Sequence, residues 1–389
     1  MRTVGVIAEY NPFHSGHAYQ LHEARQQTNA DCVVAVMSGC FVQRGDVAIL
    51  SPAVRTEMAL KNGADVVILL PSMWSVRNAE NFALGGVSLL DALGCDCISF
   101  GAETADLSAL SSAASLLETD AIASSLHVQL SRGLPYPAAL AAAVSAVSPE
   151  AAEVLASPNN TLAVCYLRAM TRLHSAMTAV PILRKNDHRA TAASGALSSA
   201  AAIRSAVLRG DWHTAQSAMP ESAADLLTNQ AAAQHLHRPE VLDLVLLSHL
   251  RTMSDNDYAR LPDLSEGIEN RLHRAANTAV TRESLLEEAK TRRYPYARLS
   301  RLATYALLGI TADSLSSDAL PPVAILLGYR KDCAGLLSQL ARGRIPLCNP
   351  SSCSRQDAWF QVEERAWQLW ALGAVLPGDL LLRYRVISI

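Results

Sequence analysis

Four short runs rich in valine and isoleucine, at residues 3–10, 32–37, 65–70 and 97–100, are each separated from the next by a longer stretch. In the first such stretch, residues 16–27, Ala18, Leu21 and Ala24 share a helical face; in residues 81–93, Phe82, Leu89, Leu90 and Leu93 do the same. Strand and helix thus alternate, and strands joined by helices pair in parallel. The expected class is α/β, a Rossmann-like parallel sheet wound with helices. A fifth strand is expected at residues 179–183, after an alanine-rich helical stretch at about 106–174 that reads as an insertion, and residues 198–208 follow it as a helix. From about residue 211 helical patterns dominate, at 224–233, 241–253, 283–289 and 299–308, and residues 380–389 alternate enough to allow a terminal strand.

At 389 residues the chain exceeds what one core usually spans. Two domains are therefore expected: a sheet domain at 1–210 and a mainly helical one at 211–389. A 5% aromatic content beside abundant alanine favours packed helices over an all-β sandwich. The formal charge of −3 announces no global basic field, so a nucleic-acid partner would have to use a local patch. Eight cysteines (Cys32, Cys40, Cys95, Cys97, Cys165, Cys333, Cys348, Cys353) lack paired CxxC spacing, which argues against a zinc module or a secreted disulfide framework. The start of the chain runs into a strand without an apolar segment long enough for export or membrane spanning, so a cytoplasmic location is expected.

In Glu9-Tyr10-Asn11-Pro12-Phe13-His14-Ser15-Gly16-His17 a strand ends, a proline turns the chain and a helix begins. Ligands of open α/β sheets bind outside the carboxyl ends of the strands. Gly16 would let backbone approach a phosphate, and the following helix is expected to supply unpaired N–H groups for an anion. His14 and His17 could donate to phosphate oxygens as charge builds on a leaving pyrophosphate. An i, i+3 histidine pair is also compatible with a plain surface pair or half a metal site; strand before, turn within and helix after favour catalysis.

This passage resembles the signature of nucleotidyltransferases and class I aminoacyl-tRNA synthetases. Leu197-Ser198-Ser199-Ala200-Ala201-Ala202-Ile203-Arg204 resembles their second signature, with Ser199 suited to cap a helix and Arg204 to face phosphate; Ala201 stands where a threonine is usual. Longer strings are similar to the tRNA(Met) cytidine acetate ligase family: residues 9–14, Met37-Ser38-Gly39-Cys40-Phe41-Val42-Gln43-Arg44-Gly45, Gly63-Ala64-Asp65-Val66-Val67, Phe100-Gly101-Ala102-Glu103, Pro158-Asn159-Asn160, Ser265-Glu266-Gly267-Ile268-Glu269-Asn270 and residues 290–299. The resemblance covers most of the chain. It implies a nucleotidyltransferase-like domain in which acetate attacks the α-phosphate of ATP, giving acetyl-adenylate. The acetyl group then passes to the exocyclic amine of the wobble cytidine in elongator tRNA(Met), forming N4-acetylcytidine. That amine is a poor nucleophile and needs an acyl donor with a good leaving group.

The resemblance carries an ATP-binding segment onto Ile7, Ala8, Glu9, Tyr10, Asn11, Pro12, Phe13, His14, Ser15, Gly16, His17, Ala18, Tyr19 and Gln20, with His14 and His17 catalytic. It adds Gly101, Asn160 and Arg184 as ATP contacts. Gly101 reads equally as a turn glycine and Asn160 as a helix cap. The family's glycine-tyrosine-histidine-aspartate stretch after Arg184 is shortened here to Lys185-Asn186-Asp187-His188. Arg44 could reach phosphate or tRNA, or simply be a solvated surface arginine. Asp65, at a strand start, reads as a structural cap, and no carboxylate cluster suggests a protein-bound metal; Mg2+ would arrive with ATP on phosphate oxygens.

Lys290, Arg292, Arg293, Tyr294, Tyr296, Arg298 and Arg301 form the clearest basic, tyrosine-interleaved stretch. Composition alone allows a solvated helix face. The resemblance makes these residues candidates for tRNA phosphates and an unstacked base. Two other readings are a small-molecule adenylyl- or cytidylyltransferase, which needs no large helical domain, and a non-catalytic nucleotide-binding RNA adaptor, which would not need intact His14 and His17.

Overall fold

The computed structural model describes residues 1–184, 199–265, 267–291, 293–315 and 320–389. The expected parallel strands are β1 (Thr3–Ala8), β2 (Cys32–Ser38), β3 (Val66–Leu70), β4 (Cys97–Ala102) and β5 (Thr178–Leu183). They lie side by side in the order β5-β4-β1-β2-β3. Every residue of β2 is buried, which accounts for its unbroken apolar sequence in a sheet covered on both faces. Five helices, from Leu107–Leu116 to Pro158–Arg172, fill the insertion between β4 and β5.

The sheet continues beyond the first half of the chain. β6 (Ala324–Tyr329) lies antiparallel on β3, and β7 (Leu347–Cys348) and β8 (Ile387–Ser388) both pair in parallel with β6. The second half is mainly helical, as expected, but it also returns strands to the first half's sheet. Periodicity misses β6 because a short continuous apolar run looks like a buried helical turn; the Pro321-Pro322 pair before it is the local sign of a strand. Within residues 380–389, only Ile387–Ser388 is strand.

Helices α1 (Ser15–Thr28), α2 (Pro52–Lys61), α3 (Ser72–Ser75) and α4 (Ala79–Ala92) connect the first four strands. The chain steps from β1 through β2 to β3 and then returns past β1 to β4. Right-handed crossovers therefore put α1 and α4 on opposite faces. The reversal between β1 and β4 opens a crevice at the carboxyl ends of the strands. Helix α4 lies tight against β1: a Cβ on Gly5 would sit 2.4 Å from Leu90 Cδ2, and one on Gly86 2.6 Å from Ile7 Cδ1. Among the described residues, no helix is long and apolar enough to cross a membrane.

At the rim of that crevice, the fully buried Arg55 of α2 joins three chain segments. Its Nε donates to Leu50 O (3.1 Å), its Nη1 to Glu9 O (2.7 Å) and Ser38 O (3.0 Å), and its Nη2 to Gly39 O. Burial lowers its pKa to about 10, so it remains a cation at neutral pH. The buried Glu363, on helix Ala358–Gly373, is among the acidic groups that stabilise that charge. Glu363 Oε2 accepts from Ser72 N–H (2.5 Å) and Oε1 from Trp367 Nε1–H (2.9 Å).

The loop between β2 and α2 is also held from the second half of the chain. Trp370 Nε1 donates to Ala48 O (2.7 Å), and His237 N–H donates to Ile49 O (2.9 Å). His237 Nδ1 lies 3.0 Å from Trp370 O, which makes Nδ1 the protonated nitrogen and leaves the buried Nε2 without a hydrogen-bond partner.

Two outcomes follow for stability. Arg55→Met strands buried carbonyls and should lower stability by about 3–5 kcal/mol, read as a shift of the urea-unfolding midpoint, whereas exposed Arg342→Met should change it by less than about 0.5 kcal/mol. Burial lowers the His237 pKa from 6.5 to about 4. Between those values the unfolded chain binds a proton that the folded chain does not, so stability falls as pH drops through this range. His237→Gln should therefore lose less stability than the parent between pH 7.5 and 5, measured by thermal unfolding; an equal loss would show that His237 is not a source of the acid sensitivity.

Candidate active site

The turn after β1 is held from both sides. Tyr10, at φ 47°, swings the chain out of the strand. Asn11 Oδ1 then accepts from Ile49 N–H (2.9 Å), and Asn11 Nδ2 donates to Val47 O (3.4 Å), which ties the turn to the loop after β2. Tyr10, Asn11 and Phe13 are buried, so these three support the turn from within. Tyr10 and Phe13 rings pack 4.9 and 5.5 Å from the ring of His17.

His14 and His17 begin α1 as a capping box. His14 Nδ1 accepts from Gly16 N–H (3.0 Å), and His17 Nδ1 accepts from His14 N–H (3.2 Å). The spacing of the motif is that of N-cap and N3, with imidazoles in the roles usually taken by Ser and Glu. Ser15 N–H and its hydroxyl both donate to Ala218 O at 3.0 Å, and His17 N–H bonds to His14 O at 2.9 Å. The expectation of unpaired N–H groups at this helix start is therefore corrected: the histidines and Ala218 already satisfy them, and an anion here would be met by side chains.

Which nitrogen carries the proton follows from these bonds. Burial, then the Arg184 guanidinium, lowers the His14 pKa to about 4. His17 is held well below its ordinary value by burial first, then by His14 and Arg184. Both rings are neutral at pH 7. Since each Nδ1 accepts, each proton sits on Nε2, and one Nε2–H donor per ring remains for a ligand. The rings stack with centroids 3.7 Å apart, which keeps the two donors together.

Of the cations named from sequence, Arg184 faces this pair, while Arg204 and Arg44 lie by the turn that carries it, near Asn11 and Glu9. Arg204 lies on the helix Ala200–Leu208, capped by Ser199, whose hydroxyl accepts from Ala202 N–H (3.2 Å). Its Nη1 donates to Asn11 O (2.5 Å), across 193 residues of sequence. Arg184 follows β5 and donates its backbone N–H to Ala102 O (2.9 Å), while its side chain lies over Gly101, where a Cβ would come 3.3 Å from Arg184 Cγ. Exposed Arg44 stands near Glu9 and Arg204. Burial raises the pKa of Glu9, while Gln43 N–H (2.8 Å to Oε1), Arg204 and Arg44 favour its charged form.

Asn160 is turned inward. Its Oδ1 accepts from Glu103 N–H (2.9 Å) and Thr104 N–H (3.2 Å), fixing the chain after β4. Residues 185–188, the shortened stretch, and Leu197-Ser198 of the second signature lie outside the described residues.

The basic stretch divides. Tyr294 is buried and donates through its hydroxyl to Ser265 O (3.2 Å); Arg298 Nη2 donates to Asp263 O (2.6 Å) and Ser265 Oγ (2.9 Å). Lys290 pairs with Glu287 (3.3 Å), and Arg301 is half-buried with its Nε lacking a partner. Arg293 and Tyr296 are exposed; Arg292 lies outside the described residues.

Sequence reasoning did not find Arg55 or Arg282. Arg282 pairs with Asp46 (3.2 Å) and donates to Gly45 O (3.0 Å), while Ser300 Oγ donates to Arg44 O (2.6 Å) and Thr304 Oγ1 to Gly45 O (2.7 Å). Gly45, at φ 80°, permits this approach; a Cβ would lie 2.8 Å from Ser300 O. No local pattern marks either arginine, because their partners are distant in sequence.

A family model described as HIGH Nucleotidyl Transferase matches residues 1–375. The tRNA(Met) cytidine acetate ligase of Acetivibrio thermocellus is 38% identical over 363 residues, spanning 89% of this chain and 88% of its own. That of Bacillus licheniformis is 36% identical over 401 residues, spanning 100% of this chain and 96% of its own. The fold is similar to a crystal structure of Thermotoga maritima TmcAL bound with alpha-thio ATP, with a TM-score of 0.91, 26% identity and 100% coverage of both chains. Sequence, fold and the paired histidines agree, and the chain belongs to the tRNA(Met) cytidine acetate ligase family of HIGH nucleotidyl transferases.

Proposed function

We propose that this protein activates acetate with ATP and transfers the acetyl group to the exocyclic amine of the wobble cytidine in elongator tRNA(Met). The observation that carries the reading is the convergence of Arg204 on the Asn11 turn, beside the His14–His17 pair that Arg184 also faces. This is a compact cluster of donors for a triphosphate.

Acetate would attack the α-phosphorus, and pyrophosphate would leave. The two Nε2–H donors and the guanidiniums of Arg184 and Arg204 suit the charge that gathers on phosphate oxygens in that step. Neutral imidazoles donate without carrying a fixed charge into the crevice. Mg2+ would come with ATP, held by phosphate oxygens. The cytidine amine would then attack the acetyl carbonyl and release AMP.

Support for a tRNA substrate comes from the relatives' shared name and from the fastening of the Arg44 loop onto helix Tyr296–Leu308. That helix starts at exposed Tyr296, just after exposed Arg293. A wobble base lies in a single-stranded loop and can be turned into a pocket without opening a duplex. Such a substrate does not demand a strongly basic protein.

Acetate-dependent exchange of labelled pyrophosphate into ATP tests the activation step. The reading expects exchange that requires acetate; exchange indifferent to acetate would point instead to a small-molecule nucleotidyltransferase. His14→Asn separates chemistry from folding, since asparagine also caps helices. It should keep the parent's thermal midpoint within a few degrees and lose about 10²-fold or more in exchange rate, the scale for removing a transition-state donor. His17→Ala should lose at least as much. Ring ¹⁵N resonances should show both histidines as neutral Nε2–H tautomers at pH 7; a protonated Nδ1 on either would contradict the capping-box assignment.

A further inference from the structure

At the end of the sheet opposite the histidines, three segments meet. Cys32 opens β2, Asp65 immediately precedes β3, and Cys333 follows β6. We propose that Cys32, Cys333 and Asp65 form a binding site for one soft divalent cation of the zinc class, joining β2 and β3 to the strand supplied by the second half of the chain.

The argument starts from distances. Cys32 Sγ and Cys333 Sγ are 3.8 Å apart, Cys333 Sγ and Asp65 Oδ1 are 3.5 Å apart, and all three ligand atoms lie within 4.8 Å of one another. A tetrahedral ion with metal–sulfur bonds of about 2.3 Å and a metal–oxygen bond of about 2.0 Å has S···S and S···O edges of about 3.8 and 3.5 Å. Side chains already arranged for an ion need little movement to accept one. Among the described residues this is the single group of three or more His, Cys, Asp and Glu side chains so arranged.

Asp65 is also oriented as a ligand. Its Oδ2 is occupied by Val33 N–H (2.6 Å) and by Arg25, which turns Oδ1 toward the thiols. Such hydrogen bonds to the far oxygen commonly fix a ligating carboxylate. Arg330 Nε lies 3.7 Å from Oδ1. With both thiols protonated, Asp65 and Asp332 balance Arg25 and Arg330, since Arg330 also pairs with Asp332 (2.7 Å). Binding follows M2+ + 2 Cys–SH → M(S–Cys)2 + 2 H+, so one dication replaces two protons and the local charge is unchanged. Without the two guanidiniums, the bound site would carry a buried net negative charge. Solvent would fill the fourth position, and the site, at the end of the sheet away from the histidines, is structural.

The sequence hid this group because its cysteines are 301 residues apart and no CxxC spacing marks them. Asp65 is the structural anchor expected from its position, and the soft ligands come from two of the cysteines whose lack of CxxC spacing argued against a zinc module.

Co2+ added to the chelator-treated, reduced, full-length chain at pH 7.5 tests the site. The expected result is one equivalent bound, with sulfur-to-cobalt charge-transfer absorption that Zn2+ removes, and a thermal midpoint that rises with Zn2+. Cys32→Ser and Cys333→Ser should each lose the band, while Cys348→Ser/Cys353→Ser keeps it. Should either buried variant fail to fold, Zn2+ protection of two thiols from a disulfide reagent in the parent gives the same answer. Absence of the band in the parent, a band surviving Cys333→Ser, or thiols equally reactive with and without Zn2+ would overturn the proposal.

Discussion

The buried guanidinium of Arg55 is the constraint on which the rim of the sheet depends. A strand that stops at a ligand site leaves carbonyls pointing out of the ladder, and buried carbonyls without donors are costly. Arg55 supplies donors to Glu9 and Ser38 at the ends of β1 and β2, and to Gly39 and Leu50 in the loop that follows. Its charge is balanced by acidic neighbours, one of them Glu363 on a helix near the end of the chain. The ends of the two central strands and the C-terminal helix are thus fixed with respect to one another. The Asn11 turn, which carries the histidines, rests on the same loop through Ile49 and Val47.

On that support the two histidines perform two tasks with different atoms. Their Nδ1 lone pairs close the start of α1, and their Nε2–H groups are left to meet a ligand. The division explains why burial and a nearby arginine are compatible with function: both depress the imidazole pKa, and a neutral ring with a fixed tautomer is a directed donor. In the proposed reaction, charge complementarity toward phosphate would fall to Arg184 and Arg204, brought from the end of β5 and from a helix far along the chain.

Features with a local period were legible in the sequence. The first five strands follow from short apolar runs, α1 from apolar spacing, the helical insertion from its alanine-rich composition, and the His-x-Gly-His turn from its place between strand and helix. Features made by pairing distant residues were not. Arg55 lies in an ordinary helical pattern, Arg282 beside a common serine-glutamate stretch, and β6 in an apolar run with no strand alternation. The sequence also promised free N–H groups at α1, because it could not show that Ala218 and the imidazoles would occupy them. Tyr294 and Arg298 illustrate the same limit: a basic aromatic stretch spends part of its side chains on holding Asp263 and Ser265.

The helical half of the chain reaches the crevice through Arg282, Ser300 and Thr304, which bind the loop bearing Arg44. This places the candidate RNA-facing helix and the candidate nucleotide site on one connected support. The most direct test of the account is transfer of labelled acetate to RNA, with and without ATP, comparing elongator tRNA(Met) with the same tRNA carrying uridine at the wobble position. Label that requires ATP and appears only on the cytidine-bearing tRNA is the predicted result. ATP consumption with no label on either RNA would contradict it.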